Sequence, residues 1–174
     1  NLLTKNKIKF NDVILAVPSS GLHSNGYSLV RHILKRKKNS YLSKNIKKEL
    51  IKPTKIYVKE INKINSKKLI SGCANITGGG LLDNLIRVIP DALSISINLS
   101  KIKVKPIFKW LKKNNIKDSE MLKTFNCGVG FCLITNKKNI SKVKKIFSKE
   151  YKPYEIGFVS KKKSRINIYG KIQW

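Results

Sequence analysis

Short apolar runs alternate with amphipathic stretches along this chain of 174 residues. Apolar, β-branched runs predict strands at 12–17, 69–76, 130–135, 154–159 and 165–169. At 93–99, leucine and isoleucine alternate with serine and asparagine, which predicts a strand with one solvated face. Apolar residues spaced by three or four predict helices at 27–36, 54–65, 81–88, 106–113, 119–125 and 140–148. Residues 37–52 are rich in lysine and predict a loop with a short helix.

The resulting order of elements is β-α-α-β-α-β-α-α-β-α-β-β. Helices placed between strands predict the α+β class, as a layered α/β/α domain with a mixed sheet flanked by helices. The last two strands are predicted as a hairpin across residues 160–164. No repeat or linker divides the sequence, so we expect residues 1–174 to form a single domain.

Several side chains are predicted to define the helices. Val58, Ile61 and Ile64 form the apolar stripe of the helix at 54–65. Leu82, Leu85 and Ile86 face inward from the helix at 81–88, and Pro90 ends it. Asp118 or Ser119 is expected to cap the helix at 119–125.

Three polar turns that contain glycine interrupt this pattern, at residues 19–26 (SSGLHSNG), 77–80 (TGGG) and 126–130 (NCGVG). The first two lie between a predicted strand and a predicted helix, where unpaired N–H groups and the positive end of the helix dipole are exposed. Because glycine lets a ligand approach the backbone closely, we expect two anion-binding positions, most simply for phosphates. The third turn is expected to shape the floor of the pocket. Tight chain connections alone would also account for each turn.

Two side chains of the first turn are candidates for catalysis. His23 is suited to general acid–base chemistry or to phosphate binding, and the alternative is that it orients the loop through a hydrogen bond to the backbone. Asn25 can read an amide of a ligand with its adjacent donor and acceptor, or it can serve only as a turn residue. The other candidate binding residues are Ser19, Ser20, Gly21, Ser24, Gly26, Thr77, Gly78, Gly79, Gly80, Asn126 and Gly128.

Other conspicuous residues are expected to be structural. Asp83 lies in the first turn of a predicted helix, where interaction with the helix dipole accounts for it. Cys127 is expected to be a small buried residue and not a nucleophile, and His32 an exposed residue on the polar face of its helix. Asn126 is open to two interpretations, as a buried structural amide or as a functional residue of the third turn.

The net charge of +29 suggests a nucleic-acid partner, but the composition offers another explanation. Lysine outnumbers arginine 34 to 4 and accompanies 24 isoleucines and 17 asparagines, the residues that AT-rich codons encode. Arginine is the side chain suited to bidentate phosphate and guanine contacts. We therefore expect a solvated lysine surface and no specific nucleic acid, although a basic nucleic-acid-binding module remains an alternative.

Composition also limits the cellular setting and the metal chemistry. Three cysteines, none in a C-x-x-C pair, indicate a reducing cytoplasm and no zinc site. No apolar stretch approaches the ~20 residues of a membrane span. The acidic residues are scattered, so no metal site is predicted in this chain. The chain opens on Asn1, and we expect it to be part of a longer polypeptide.

Five segments, in order, resemble the C-terminal domain of the AIR synthetase family, the phosphoribosylformylglycinamidine cyclo-ligases. They are NDVIL followed by PSSGLHSNGYSLVR, then PTKIYVK, ITGGGLLD, PIFKW and EMLKTFNCGVG. The resemblance implies ATP-dependent closure of the imidazole ring of formylglycinamidine ribonucleotide in purine biosynthesis. It implies a homodimer, with ATP and Mg²⁺ held mostly by an N-terminal domain absent from this chain.

The resemblance also implies roles for the turns. Ser20, His23, Ser24 and Asn25 would line the substrate side of the cleft, Thr77 and the three glycines after it would hold a phosphate, and Asn126 with Gly128 would complete the wall. The family commonly has histidine where this chain has Asn75, which cannot carry a proton. Formylglycinamidine ribonucleotide synthetase, thiamine-monophosphate kinase and selenophosphate synthetase share a similar domain, and they remain alternatives.

Overall fold

Six strands form one sheet in the computed structural model, which describes residues 2–36, 42–161 and 164–174. They are β1 (Val13–Pro18), β2 (Gly72–Asn75), β3 (Leu93–Asn98), β4 (Val129–Thr135), β5 (Tyr154–Lys161) and β6 (Ile166–Tyr169). Their order across the sheet is β2-β4-β1-β5-β3-β6. Neighbouring strands run antiparallel, except that β6 is parallel to β3. The predicted mixed sheet is confirmed.

Helices cover both faces of this sheet. They are α1 (Tyr27–Arg36), α2 (Lys44–Leu50), α3 (Val58–Ser66), α4 (Gly80–Val88), α5 (Pro106–Lys112), α6 (Asp118–Thr124) and α7 (Ile140–Lys144). The side chains of β1 alternate between two apolar clusters, so Ile14 and Ala16 pack with α1, α4, α5 and α6. Leu15 and Val17 pack with α3 and α7 on the opposite face. The predicted α/β/α layering is confirmed.

The predicted hairpin between the last two strands is wrong. β3 lies between β5 and β6 in the sheet. After β5 the chain crosses over β3, and β6 then pairs with the far side of β3 in the parallel direction. The Arg165 guanidinium donates to the carbonyls of Pro90 (2.9 Å) and Leu93 (3.3 Å) beyond the end of α4. It also reaches the carbonyls of Ile86 and Ile89. These contacts hold the start of β6 on the far side of β3.

The predicted solvated face of β3 is wrong for the same reason. Ser94 and Ser96 are both buried. The hydroxyl of Ser94 donates to the carbonyls of Ser164 and Arg165, and that of Ser96 donates to Ser160 Oγ. The polar side of β3 therefore bonds to the crossing chain instead of water.

Some element boundaries and helix faces also differ from the predictions. The second strand is shorter, and α3 begins only at Val58, whose side chain is exposed while Ile64 is buried. In α4, Leu81 and Leu85 are buried, and Leu82 and Ile86 pack only partly. α6 begins at Asp118 itself, without a side-chain cap, and α7 ends at Lys144. The predicted short helix within 37–52 is α2, and residues 37–41 lie outside the described part.

Within the described ranges, no helix combines the length and apolar character that crossing a membrane requires.

Arg165 gives a test of this topology. We expect Arg165→Gln to lower the free energy of unfolding by about 2 kcal/mol, because partly buried carbonyls of four residues lose a charged donor. Chemical denaturation monitored by circular dichroism measures this loss. Arg87→Gln, on the exposed side of α4, is the control and should change stability by less than about 0.5 kcal/mol. Equal effects of the two variants would contradict the role of Arg165.

Candidate functional site

All three polar turns lie together at one end of the neighbouring strands β1, β4 and β2. β1 and β2 each end where β4 begins, because both pair antiparallel with β4. Backbone bonds join the turns there: the N–H of Ser19 donates to the carbonyl of Gly128 (2.9 Å), and that of Ile76 donates to the carbonyl of Gly130 (3.1 Å). The sheet therefore brings together residues that are up to 111 positions apart in the sequence.

Asn126 joins the first turn to the third. Its Nδ2 donates to the carbonyls of Gly21 (2.9 Å) and Leu22 (3.2 Å), and its Oδ1 accepts from the N–H of Gly128 (2.8 Å). The side chain is fully buried. Because the C=O and N–H of a trans peptide point in opposite directions, the N–H groups of Leu22 and His23 point away from this carboxamide.

His23 is held as a neutral imidazole. Its Nε2 accepts from the N–H of Ser20 (3.2 Å), so a neutral ring carries its proton on Nδ1. Burial, with a contribution from the positive charge of Lys105, lowers the pKa of His23 to about 4. The backbone at His23 is left-handed, with φ of 59°. This geometry matches the loop-orienting alternative, and it leaves Nδ1–H as a donor.

Residues 53–57, which we call the strap, lie across the first turn. The hydroxyl of Ser20 donates to the carbonyl of Pro53 (2.7 Å) and accepts from the N–H of Lys55 (3.1 Å). Tyr57 donates to the carbonyl of Pro18 (2.8 Å) at the end of β1. The prediction of helix from residue 54 missed the strap. Pro53 was the available signal, because proline is common in extended segments that precede a helix.

The second turn is arranged by Asn84, a residue that the sequence analysis missed. Gly79 and Gly80 have positive φ, of 92° and 70°. The Nδ2 of Asn84 donates to the carbonyls of Thr77 (3.3 Å), Gly78 (3.2 Å) and Gly80 (2.7 Å). The available signal was an asparagine on the apolar face of α4, three residues after Leu81 and next to Leu85, where a buried amide needs partners.

The remaining predicted residues differ in exposure. Ser24 is exposed, and its hydroxyl bonds that of Thr54 (3.2 Å); Asn25 is partly exposed. Gly26 packs against the ring of Phe125, leaving no room for a side chain. Ser19 is buried, and its hydroxyl has no protein partner. Asn75 is exposed at the end of β2.

The charges around the turns are mixed. Lys105 precedes α5 and acts electrostatically on His23. Asp83 lies against Gly79, so one carboxylate borders the second turn. An anion bound there would gain from the backbone N–H groups and would be opposed by Asp83.

The described residues do not fit a magnesium site. No three His, Cys, Asp or Glu side chains cluster within the described ranges. Five carboxylates instead form ion pairs with Lys or Arg: Glu49, Glu60, Asp91, Asp118 and Glu155. Mg²⁺ prefers carboxylate oxygens that are free to coordinate.

Cys127 is a structural residue. It is buried, and its thiol donates to the carbonyls of Met121 (3.4 Å) and Phe125 (3.6 Å). Burial raises the pKa of the Cys127 thiol to about 12, which suppresses the nucleophilic thiolate. The prediction of a small buried residue is confirmed. His32 is exposed, also as predicted.

A cleft of about 710 Å³ lies away from the three turns, between α1 and the connection from α5 to α6. His32, Arg36, Lys113 and Lys117 are among its lining residues. Cationic side chains are common everywhere on a chain with 38 lysines and arginines. The lining therefore does not distinguish this cleft as a binding site.

Comparison with known proteins identifies relatives over most of the chain. A family model described as AIR synthase related protein, C-terminal domain, matches residues 9–168. A phosphoribosylformylglycinamidine cyclo-ligase from Clostridium perfringens is 41% identical over 155 residues, which cover 88% of this chain and 46% of that protein. The chain thus spans about half the length of this curated relative.

Two solved structures share the fold at low sequence identity. PurL from Thermotoga maritima, complexed with FGAR, is 11% identical, with a TM-score of 0.61 over 97% of this chain and 27% of that one. Thiamine monophosphate kinase from Aquifex aeolicus is 17% identical, with a TM-score of 0.60 over 98% of this chain and 54% of that one. Both support the fold only.

The glycines of the second turn are not interchangeable. We expect Gly80→Ala to lower the free energy of unfolding by at least about 2 kcal/mol, because a side chain at positive φ is strained and would overlap the Leu122 carbonyl of α6. Gly78→Ala is the matched control, because the space around Gly78 is open. Urea denaturation measures both. Comparable losses would refute this packing.

His23 predicts a pH dependence of stability. Its pKa falls from 6.5 to about 4 on folding, so the neutral form is favoured in the folded chain. The stabilisation is complete above pH 6.5 and declines as the pH falls toward 4. Unfolding measured at several pH values should show this decline in the native chain. His23→Asn, which tolerates positive φ and does not titrate, should lack that component. Identical profiles would contradict the assignment.

Proposed function

The chain belongs to the AIR synthase related protein family as its C-terminal domain, and on this premise we propose that it is the substrate-closing domain of an ATP-dependent cyclo-ligase. The proposed reaction converts formylglycinamidine ribonucleotide into aminoimidazole ribonucleotide in purine biosynthesis. Its support is the family match together with 41% identity to a cyclo-ligase. The residues 1–174 would form one domain of the complete enzyme.

One observation carries the proposed role in ligand binding: a buried asparagine turns carbonyls inward in the first and in the second of the three glycine turns. Asn126 does so for the first turn, and Asn84 does so for the second. The opposite ends of those peptides then present N–H groups away from the core. Rows of backbone N–H groups are ligands for phosphate oxygens, and both proposed substrates carry phosphate.

In the proposed chemistry, ATP transfers its γ-phosphoryl group to the formyl amide oxygen of the substrate. The neighbouring nitrogen of the substrate then attacks the formyl carbon. The ring closes, and the formyl oxygen leaves as part of the phosphate. Phosphoryl transfer depends mainly on positioning and charge stabilisation, which backbone N–H groups provide. We propose that this chain binds and orients the ribonucleotide.

We assign different roles to the predicted residues. His23 and Asn25 are proposed at the reacting end of the substrate, with His23 acting as a neutral donor through Nδ1. Ser19, Ser20, Gly21, Ser24 and Gly26 would shape the first turn, and Thr77, Gly78, Gly79 and Gly80 would hold a phosphate. Asn126 and Gly128 would support the first turn from the protein interior, because both ends of the Asn126 carboxamide already form hydrogen bonds within the protein.

The rest of the enzyme is proposed to lie outside this chain. An N-terminal domain would hold most of the ATP and any Mg²⁺, and it would form the homodimer contact. We propose that the enzyme works in the cytoplasm without a specific nucleic-acid partner. The second candidate is the chemistry of formylglycinamidine ribonucleotide synthetase or of thiamine-monophosphate kinase. Its support is the shared fold with PurL and with thiamine monophosphate kinase.

A chimera tests the proposed function. The chain alone should neither hydrolyse ATP nor close the ring. Fused after the N-terminal half of the Clostridium perfringens relative, it should restore ATP-dependent formation of aminoimidazole ribonucleotide. Product formation is measured on a panel that includes formylglycinamide ribonucleotide and thiamine monophosphate.

The complete Clostridium perfringens enzyme is the positive control for this assay, and its N-terminal half alone is the negative control. Turnover by the isolated chain would contradict the proposed division of labour. A chimera that acts on thiamine monophosphate and not on formylglycinamidine ribonucleotide would support the second candidate.

A further inference from the structure

Asn84 makes all of its side-chain hydrogen bonds with the second turn. Nδ2 donates to three carbonyls of residues 77–80, and Oδ1 accepts from the hydroxyl of Thr77 (3.2 Å). The residue is 7% exposed. A buried amide is costly unless it is bonded, so its presence on the apolar face of α4 needs an explanation.

These bonds set the direction of three peptide groups. The carbonyls of Thr77, Gly78 and Gly80 face Asn84, so the N–H groups of Gly78, Gly79 and Leu81 face the opposite way. Gly78 is exposed and has open space around it, so a ligand can reach this side of the turn.

We propose that Asn84 is a positioning residue that holds these N–H groups toward an anionic oxygen, the phosphate of a ribonucleotide. The inference rests on the proposed function for its ligand and adds the residue that orders the binding turn. Asn84 lies beneath the turn and does not touch the phosphate itself.

The chemistry of the side chain is specific. The Thr77 hydroxyl donates to Oδ1, which leaves the Nδ2 end of Asn84 facing the carbonyls. An aspartate would present only acceptors to three carbonyl oxygens, and an alanine would remove a donor from all three, leaving the Thr77 carbonyl with only the Gly80 N–H (3.1 Å). Asp83, beside Gly79, is the charge that opposes an anion at this turn.

The test uses residues 1–174, labelled with ¹⁵N and ¹³C, and inorganic phosphate as the probe. In the native chain, phosphate should shift the amide signals of Gly78 and Gly79. Asn84→Ala should bind about tenfold more weakly, the consequence of losing a buried hydrogen-bonding group. The carbonyl ¹³C signals of Thr77, Gly78 and Gly80 should move in that variant even without phosphate.

Two controls separate positioning from general stability. Asn98→Ala removes a comparable cap at the end of β3, where Oδ1 accepts from the Ser100 N–H, and it should leave phosphate binding unchanged. Asp83→Asn should tighten binding severalfold by removing the opposing charge. Should Asn84→Ala not fold, Thr77→Val removes only the hydroxyl that orients the carboxamide, and Thr77→Ser should restore the native carbonyl signals.

The outcomes distinguish this inference from the proposed function. Equal phosphate affinity in the native chain and in Asn84→Ala overturns the inference and leaves the proposed function intact. Unmoved carbonyl signals in Asn84→Ala, or in Thr77→Val if that variant is needed, overturn it as well. A native chain that binds no phosphate at this turn overturns both the proposed phosphate position and the inference that Asn84 serves it.

Discussion

The glycine turns depend on one kind of interaction, in which a buried carboxamide side chain donates hydrogen bonds to carbonyls that face inward. A glycine turn has many accessible conformations, and only some of them align N–H groups on one side. Asn126 selects one conformation for the first turn, and Asn84 does so for the second. Each uses both ends of its side chain inside the protein, so removing either takes a side-chain donor from two or three backbone carbonyls.

The sheet makes this arrangement possible. Because β4 lies between β1 and β2, the turns that leave β1 and β2 meet the turn that enters β4. The strap then fixes the first turn from outside through Ser20, while Asn126 fixes it from inside. His23 adds a third restraint by accepting the Ser20 N–H, and burial keeps its ring neutral. The first turn is therefore restrained before any ligand arrives.

Arg165 plays a corresponding part beside β6, the edge strand of the sheet. It bonds to the carbonyls of Ile86, Ile89 and Pro90 at and just beyond the end of α4, the helix that begins at the second turn, and it directs β6 past β3. α4 is thus held at its start by Asn84 and at its end by Arg165. The turn and the distant edge strand are linked through one short helix.

The sequence by itself determined the class of fold, most of the elements and the three turns, because apolar periodicity and glycine-rich turns are local signals. It also supplied the family resemblance. Only the tertiary structure decided the parallel position of β6, the burial of Ser94 and Ser96, the strap, and the bonding of Asn84 and Asn126. Each of these features depends on a partner that is distant along the chain or on the direction of a side chain. Periodicity predicts which face of an element a residue occupies, but it does not predict which residue it contacts there.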